Sequence, residues 1–318
     1  MAYKVNPEIF NTAYDLYLQG EVQQGYDLLT AAAPNHPEYA QRIYEWRFDM
    51  AAKMGKPELA EEILERALDA GFFYGEFALR KDDDLQMMQG RPRFESLVER
   101  SYLMLYRAQQ LARPLLKVIN EGNADRGKTS LLMALHGNNS SIDRFEGYWD
   151  GLKGTDWLAA LPQSSQVNGK DIYVWNDQEL AERELTAHYQ ALTRGRVIDP
   201  TQTIMAGFSK GGHAVIQAAF KQIFPIAGFI AIAPYIPDID AMMGLLKLGE
   251  SERLRGYFLL GGEDTSCTPG ATRLYEELVK RGVPCGVEVF PGLGHEFPQD
   301  FNTALQRAIQ SITGKEKA

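Results

Sequence analysis

The sequence predicts an α/β protein with a mostly parallel central sheet flanked by helices, preceded by an all-α region of helical hairpins. Residues before 112 have helical periodicity without strand-like runs, whereas short apolar runs alternate with amphipathic helical patterns from residue 115 onward. Such alternation is typical of parallel strands joined by crossover helices. We therefore expect two domains, a helical domain over 1–111 and a sheet-containing domain over 112–318.

The helical domain contains an internal repeat. Segment 6–34 predicts two short helices around Gly20, and segment 37–71 predicts two more around Gly55. The two glycines are 35 positions apart. This period, with small residues where the helices would cross, resembles tetratricopeptide-type helical hairpins. Pro92 predicts the start of a last helix in this domain.

The sheet domain contains seven apolar runs that predict strands. Two amphipathic segments between them, 177–195 and 268–282, predict helices that end on glycine. Segment 138–168 has no clear strand pattern, and we expect it to form a helix and loops near a functional site. The predicted strands are 115–120, 130–137, 171–176, 203–208, 228–234, 256–262 and 286–292.

Composition argues against several classes of partner. The chain has 33 Lys and Arg against 42 Asp and Glu, a net charge of -9, which argues against binding to nucleic acid or anionic membranes. Its two cysteines form neither a disulfide framework nor a metal-site spacing, and no Walker-type loop is present, so we expect no metal and no cofactor. The start of the sequence lacks a secretory pattern, and no apolar run could span a bilayer. We expect a cytoplasmic protein without membrane insertion.

One glycine-rich segment carries a candidate nucleophile. Residues 207–211, GFSKG, place Ser209 between an apolar run and a helical pattern. The pattern G-x-S-x-G at a strand-to-helix turn is typical of a nucleophile elbow, in which glycines permit a turn too sharp for side chains. The helix that follows would stabilise a developing negative charge near its first amides. The pentapeptide alone is equally consistent with an ordinary tight turn.

Two later residues complete the chemistry that a serine nucleophile requires. The serine needs a general base, and the base needs an acid that orients it. After a nucleophile elbow, the acid and then the histidine each follow a later strand. Asp264 follows the predicted strand 256–262, and His295, the only histidine after Asp264, follows the strand 286–292. We therefore predict a catalytic triad of Ser209, Asp264 and His295.

Other carboxylates stay open as the acid. Glu263 is adjacent to Asp264 in the sequence, and Asp238 and Asp240 follow the preceding predicted strand. We favour Asp264 because its position matches the end of a strand.

Backbone amides and aromatic residues complete the predicted site. The amides of Asn138, after the predicted strand 130–137, and of Lys210 are the predicted oxyanion-hole donors. Phe208 and Trp175 are the predicted substrate-binding residues, although a place in the core suits either equally well. We expect His136 to be structural, because it precedes the serine in the sequence.

The motifs LHGNN, GFSKGG, GGED and GLGHEF together resemble those of the α/β-hydrolase superfamily. Residues 115–315 look like its phospholipase/carboxylesterase branch, which includes acyl-protein thioesterases and dienelactone-hydrolase-like enzymes. The resemblance implies the α/β-hydrolase fold and the same residue roles as those given above. Lys210 departs from that branch, which often has glutamine there. The helical N-terminal region is not part of the branch.

The resemblance implies a serine carboxylesterase that hydrolyses small to medium carboxylic esters through an acyl-enzyme. Two alternatives stay open, namely a peptidase or amide hydrolase on the same fold, and a helical-repeat interaction module that carries a hydrolase scaffold. The N-terminal helices could act as a lid, as a homodimer interface or as a partner-binding surface, and the sequence does not choose between these roles.

Overall fold

The computed structural model describes residues 8–123, 127–247 and 254–314. Contacts divide the chain into two compact units. One contains the N-terminal helices up to Ala112 together with Val167–Ile172, and the other contains Arg113–Gln166 and the chain from Tyr173 onward. We call them the helical unit and the sheet unit. The division after Ala112 is adjacent to the boundary drawn from the sequence, but the assignment of Val167–Ile172 to the helical unit was not predicted.

The helical unit consists of two helical hairpins followed by a longer helix. Gly20 and Gly55 lie in the two hairpin turns, with φ angles of 83° and 69°. Its core contains buried aromatic and aliphatic side chains such as Phe48, Leu64 and Phe94. The tetratricopeptide-type assignment stays a prediction. The α-helices are α1 (Glu8–Leu18), α2 (Val22–Ala32), α3 (Ala40–Lys53), α4 (Pro57–Asp69) and α5 (Pro92–Leu111).

A short hairpin from the middle of the chain completes the helical unit. It consists of β4 (Val167–Gly169) and β5 (Ile172–Tyr173), of which all but Tyr173 belong to the helical unit. The buried side chain of Gln41 on α3 accepts a hydrogen bond from the Lys170 N–H at 3.0 Å. The side chain of Gln109 on α5 accepts one from the first N–H of β4 at 2.9 Å. Side-chain amides of two helices therefore bind the backbone of this hairpin.

The sheet unit is built on one seven-stranded sheet. In spatial order its strands are β1, β3, β2, β6, β7, β8 and β9, and every neighbouring pair is parallel except the antiparallel pair of β1 and β3. Residues that follow β2, β6, β7, β8 and β9 therefore meet at one edge of the sheet. The strands are β1 (Leu115–Glu121), β2 (Thr129–Leu135), β3 (Trp157–Gln163), β6 (Ile198–Phe208), β7 (Gly228–Ile232), β8 (Arg255–Gly261) and β9 (Cys285–Phe290). The helices are α6 (Ile142–Phe145), α7 (Gln178–Thr193), α8 (Lys210–Lys221), α9 (Ile239–Gly244), α10 (Thr268–Lys280) and α11 (Phe301–Thr313).

The sheet separates two apolar cores. Along β2, Leu131 and Met133 pack into one core and Leu132 and Ala134 into the other, because successive side chains point to opposite faces. Burial on both faces explains the continuous apolar runs of the central strands. No helix within the described ranges is long and apolar enough to cross a membrane.

Two strand predictions were wrong. Segment 138–168 contains β3, a full strand of the sheet, in addition to the expected helix and loops. Its sequence, WLAALPQ, hides the strand because alanine and proline are poor strand formers. Pro162 pairs with Leu116 of β1 and lies beyond the end of the pairing of β3 with β2, which stops at Ala160. The expected sheet strand 171–176 contains only the short β5, which lies in the separate hairpin.

Candidate active site

Ser209 lies between β6 and α8 in a strained backbone conformation. Its φ is 53° and its ψ is -118°, which a residue with a side chain adopts only where its surroundings impose it. The Ser209 N–H donates to the carbonyl of Ile232 at 2.9 Å, and its own carbonyl accepts from the N–H groups of His213 and Tyr235, both at 3.1 Å. The half-buried serine therefore has a fixed backbone at the carboxyl edge of the sheet.

A glycine brings the loop after β2 against this turn. A side chain at Gly211 would overlap the carbonyl oxygens of His136 and Leu135, so only glycine permits the close approach. On the other side of the contact, a Cβ atom on Gly137 would lie 3.4 Å from the Ser209 Cβ. The predicted oxyanion loop and the predicted nucleophile are therefore in direct contact.

Asp264 and His295 are hydrogen-bonded to each other. His295 Nδ1 lies 2.6 Å from Asp264 Oδ2, and because a carboxylate can only accept, the Nδ1–H must donate. The other carboxylate oxygen accepts from the amides of Ser266 at 3.2 Å and Cys267 at 3.0 Å. The Asp264 side chain is fully buried, whereas 36% of the His295 side chain is exposed. When the ring is neutral, its other nitrogen, Nε2, is therefore a hydrogen-bond acceptor.

Backbone contacts hold the two loops that carry this pair. The Gly262 N–H donates to the Phe290 carbonyl and the Glu263 N–H donates to the Leu293 carbonyl, both at 2.8 Å. A side chain at Gly261 would overlap the carbonyl oxygens of Leu293 and Gly294. The strand ends of β8 and β9 are thus joined closely enough to fix the distance between acid and histidine.

Two backbone amides are the predicted oxyanion-hole donors, those of Lys210 and Asn138. Lys210 is the first residue of α8, where a backbone N–H has no acceptor within the helix. Across the described part of the chain, neither the Lys210 amide nor the Asn138 amide donates a hydrogen bond to a protein group. Free donors beside a nucleophile can stabilise a negatively charged oxygen.

Side chains from a later segment brace the Asn138 loop. The Asn138 side chain accepts from the Trp175 N–H at 2.8 Å and donates to the Asn176 side chain at 2.8 Å. The Trp175 indole N–H donates to the His136 carbonyl at 2.9 Å. The Gln166 side chain in turn accepts from the Asn176 N–H at 2.8 Å. Asn176 and Gln166 were not found from the sequence, because nothing in the sequence signals their contact with residue 138.

His136 is fully buried beneath the oxyanion loop. Its Nδ1 lies 2.7 Å from the Gly137 carbonyl, so the Nδ1–H donates, and among the described residues Nε2 has no partner. Burial lowers the pKa of His136 to about 4, so the ring is neutral at pH 7. His136 therefore acts as a buried structural residue in this loop.

The two aromatic residues predicted to bind substrate lie in different environments. Phe208 packs beside the site, with its ring centroid 4.8 Å from that of His295 and 4.9 Å from that of Phe297. Trp175 has no exposed surface. Its contacts with the oxyanion loop support a positioning role in place of the substrate-binding role predicted for it.

The alternative carboxylates have other environments. Glu263 is exposed, and the Asp238 side chain accepts from the Ala241 N–H at 2.9 Å at the start of α9. Asp240 is exposed on that helix. Asp264 is thus the carboxylate that the fold joins to His295.

One set of side chains at the site has metal-ligand chemistry. Asp264, Cys267 and His295 each place a donor atom within 4.8 Å of the others. Burial and the charge of Asp264 raise the pKa of the Cys267 thiol to about 12. A thiol must lose its proton to bind a metal, and the other two groups already bond to each other. The geometry therefore favours an acid–histidine pair over a metal site.

Comparison with known proteins agrees with this fold. Residues 6–108 match the family described as A/B hydrolase-like, N-terminal domain. A crystal structure of an uncharacterized protein from Bacillus cereus ATCC 10987 aligns over 97% of this chain and 99% of its own, with 26% identity and a TM-score of 0.57. Esterase PE8 aligns over 63% of this chain and 98% of its own, with 18% identity and a TM-score of 0.51. The sequence has no match among curated proteins.

The sheet topology and these similarities define the fold of the protein. The chain has the α/β-hydrolase fold. The N-terminal helices match a family whose description refers to the N-terminal domain of α/β-hydrolase-like proteins. The similarity to the Bacillus cereus protein extends over both units.

Proposed function

We propose that this protein is a serine carboxylesterase that hydrolyses small to medium carboxylic esters. The observation that carries the proposal is the strained Ser209 on the same sheet edge as the hydrogen-bonded pair of Asp264 and His295. The fold similarity to esterase PE8 is consistent with hydrolase chemistry. The free amides of Asn138 and Lys210 supply the charge stabilisation that acyl transfer requires.

The proposed reaction has two steps. First, His295 Nε2 accepts the proton of Ser209 Oγ as the oxygen attacks the ester carbonyl carbon, and the protonated histidine then gives this proton to the departing alcohol. Second, His295 takes a proton from water as the water oxygen attacks the acyl carbonyl carbon. The protonated histidine then gives this proton to Ser209 Oγ as the bond between the acyl group and Oγ breaks, which releases the acid and restores Ser209. Asp264 accepts the Nδ1–H bond throughout, which holds the ring and stabilises its charged form.

Two further parts of the proposal concern the setting of the enzyme. The two cysteines form no disulfide, which supports a cytoplasmic location, because reducing compartments keep thiols free. The reaction that we propose uses only side chains and backbone amides of this chain and water.

Hydrolysis of a series of p-nitrophenyl esters, from acetyl to palmitoyl, tests the proposal. We expect activity to be highest with short and medium acyl chains, and Ser209→Ala to lower kcat by about 10⁴-fold or more while the protein stays folded. Ser311→Ala removes an exposed hydroxyl from α11 and serves as the matched control. Near-normal turnover by Ser209→Ala would overturn the assignment of the nucleophile.

A comparison of leaving groups separates esterase from amidase activity. A p-nitroanilide with the same acyl chain as the best ester should react far more slowly if the enzyme is an esterase. Comparable rate constants for the two substrates would instead support the amide hydrolase alternative.

A further inference from the structure

The residue after the proposed nucleophile places an ammonium group beside the site. Lys210 Nζ lies 5.3 Å from the centroid of the Tyr235 ring, within the range of a cation–π contact. The Tyr235 N–H donates to the carbonyl of Ser209 at 3.1 Å, and 43% of Tyr235 is exposed. The ammonium therefore lies on the β7 side of the serine, opposite the oxyanion loop and at the same sheet edge.

This ammonium has no carboxylate partner within residues 8–123, 127–247 and 254–314. By contrast, Lys221 at the other end of α8 pairs with Glu182 at 2.6 Å. Lys210 is only half-exposed, and burial without a compensating anion lowers its pKa. A partly buried, unpaired charge is costly, so an anion that binds beside it recovers free energy.

The surroundings of Lys210 favour a ligand with a single negative charge. His213, one helical turn further along α8, is a neutral neighbour, because burial and the charge of Lys210 lower the pKa of His213 to about 4. Its Nδ1–H donates to the Tyr235 carbonyl at 3.0 Å, so this N–H is not available to bind an anion. The unpaired amide of Lys210 adds the partial positive charge of a helix start. One ammonium suits a carboxylate better than a dianion.

We propose that Lys210 binds a carboxylate on the substrate, so that the preferred esters carry one carboxylate a few bonds from the scissile carbonyl. This inference rests on the proposed esterase function. The amide of Lys210 is a proposed donor to the reacting carbonyl oxygen, and its ammonium is on the four-carbon side chain of the same residue. The substrate carboxylate must therefore lie within about one lysine side chain of that oxygen.

Two pairs of substrates test the proposal, each comparing a carboxylate with its neutral carboxamide. Monomethyl succinate against methyl succinamate places the charge on the acyl side, and 3-acetoxypropanoate against 3-acetoxypropanamide places it on the alcohol side. We expect a preference of about tenfold or more in kcat/KM for the carboxylate in one pair, which identifies the side. Acid release in a pH-stat measures both substrates of each pair.

Variants of Lys210 test whether its charge causes the preference for the carboxylate substrate. Lys210→Met should bring the carboxylate-to-carboxamide ratio close to one, mainly through a higher KM for the carboxylate, and Lys210→Arg should restore much of it. Lys280→Met, which removes an exposed surface charge on α10, should keep the wild-type ratio. Added salt should weaken the wild-type preference, because the ion pair is only partly buried.

The outcomes separate this inference from the esterase proposal. If Ser209-dependent hydrolysis occurs but the ratio is the same in the wild type and in Lys210→Met for both pairs, the carboxylate site is wrong and the esterase proposal stands. If no ester is hydrolysed in a Ser209-dependent manner, the esterase proposal fails and the inference fails with it.

Discussion

The two sides of the candidate site are held in place by different kinds of interaction. On the acid–histidine side, backbone hydrogen bonds join the loops after β8 and β9, and Gly261 permits their close contact. On the oxyanion side, the loop after β2 is braced mainly by the side chains of Asn138 and Trp175, with Asn176 as a third partner. Backbone fixes one side, and side chains distant in the sequence fix the other.

This difference predicts how each side responds to substitution. A loop held by main-chain contacts keeps its geometry when a side chain changes, so a mutation there reports on the chemistry of the side chain itself. A loop held by side chains moves when one of them is removed, so a mutation there reports on the position of the amide donors. Three experiments, in order of expected effect, test this contrast.

The largest effect is expected on the acid–histidine side, from Asp264→Asn. The asparagine amide would occupy the same space, but it would favour the wrong tautomer of His295 and could not stabilise its charged form. We expect kcat to fall by about 10³- to 10⁴-fold with little change in melting temperature. Steady-state kinetics with the best p-nitrophenyl ester gives the comparison.

The neighbouring carboxylate supplies a matched control for this variant. Glu263→Gln removes one exposed charge at the adjacent position and should leave kcat within about twofold of the wild type. Equal losses in the two variants would mean that Asp264 is not the acid.

The contrast also explains what the sequence could predict. The positions of Ser209, Asp264 and His295 after strands were predicted from glycine-rich turns and from their order in the sequence, because close backbone contacts impose glycine at those turns. Their catalytic roles stay predictions. The brace around Asn138 was not predicted, since any residue with an acceptor and a donor could serve, and its partners at 175 and 176 come from a segment that was expected to be a strand of the sheet.

The limits of the fold prediction have a similar cause. The alternation of strands and helices was enough to predict the fold class and six of the seven strands of the sheet. β3 was missed because its alanines and Pro162 oppose strand formation locally, and pairing with β1 and β2 overrides that preference. The hairpin at Val167–Ile172 was missed because its partners are side chains of the helical unit, such as Gln41.

The second prediction concerns the stability of the oxyanion side in acid. The folded state lowers the pKa of His136 from 6.5 to about 4, so the unfolded chain binds this proton more readily. The neutral His136 ring contributes to the free energy of unfolding in full above about pH 6.5. This contribution is lost as the pH falls toward 4. It amounts to about 3 kcal/mol of unfolding free energy. Urea unfolding at pH 7.5 and at pH 4.5 measures the loss.

Variants isolate the part of this loss that comes from His136. His136→Gln should show a smaller difference in unfolding free energy between the two pH values than the wild type, whatever its absolute stability. His36→Gln, at a position between helices of the helical unit, should keep the wild-type difference. If His136→Gln also keeps it, other groups cause the acid sensitivity.

The smallest effect is expected from graded loss of the brace. Asn138→Ala keeps the backbone N–H but removes two hydrogen bonds, and Asn176→Ala removes one of them. We expect kcat to fall by about tenfold in the first and by about two- to threefold in the second, with KM nearly unchanged, because a misplaced amide weakens the transition state more than the bound substrate. If Asn138→Ala has wild-type kcat, the Asn138 loop is already fixed by its contact with Gly211, and the two sides of the site are then both held by the backbone.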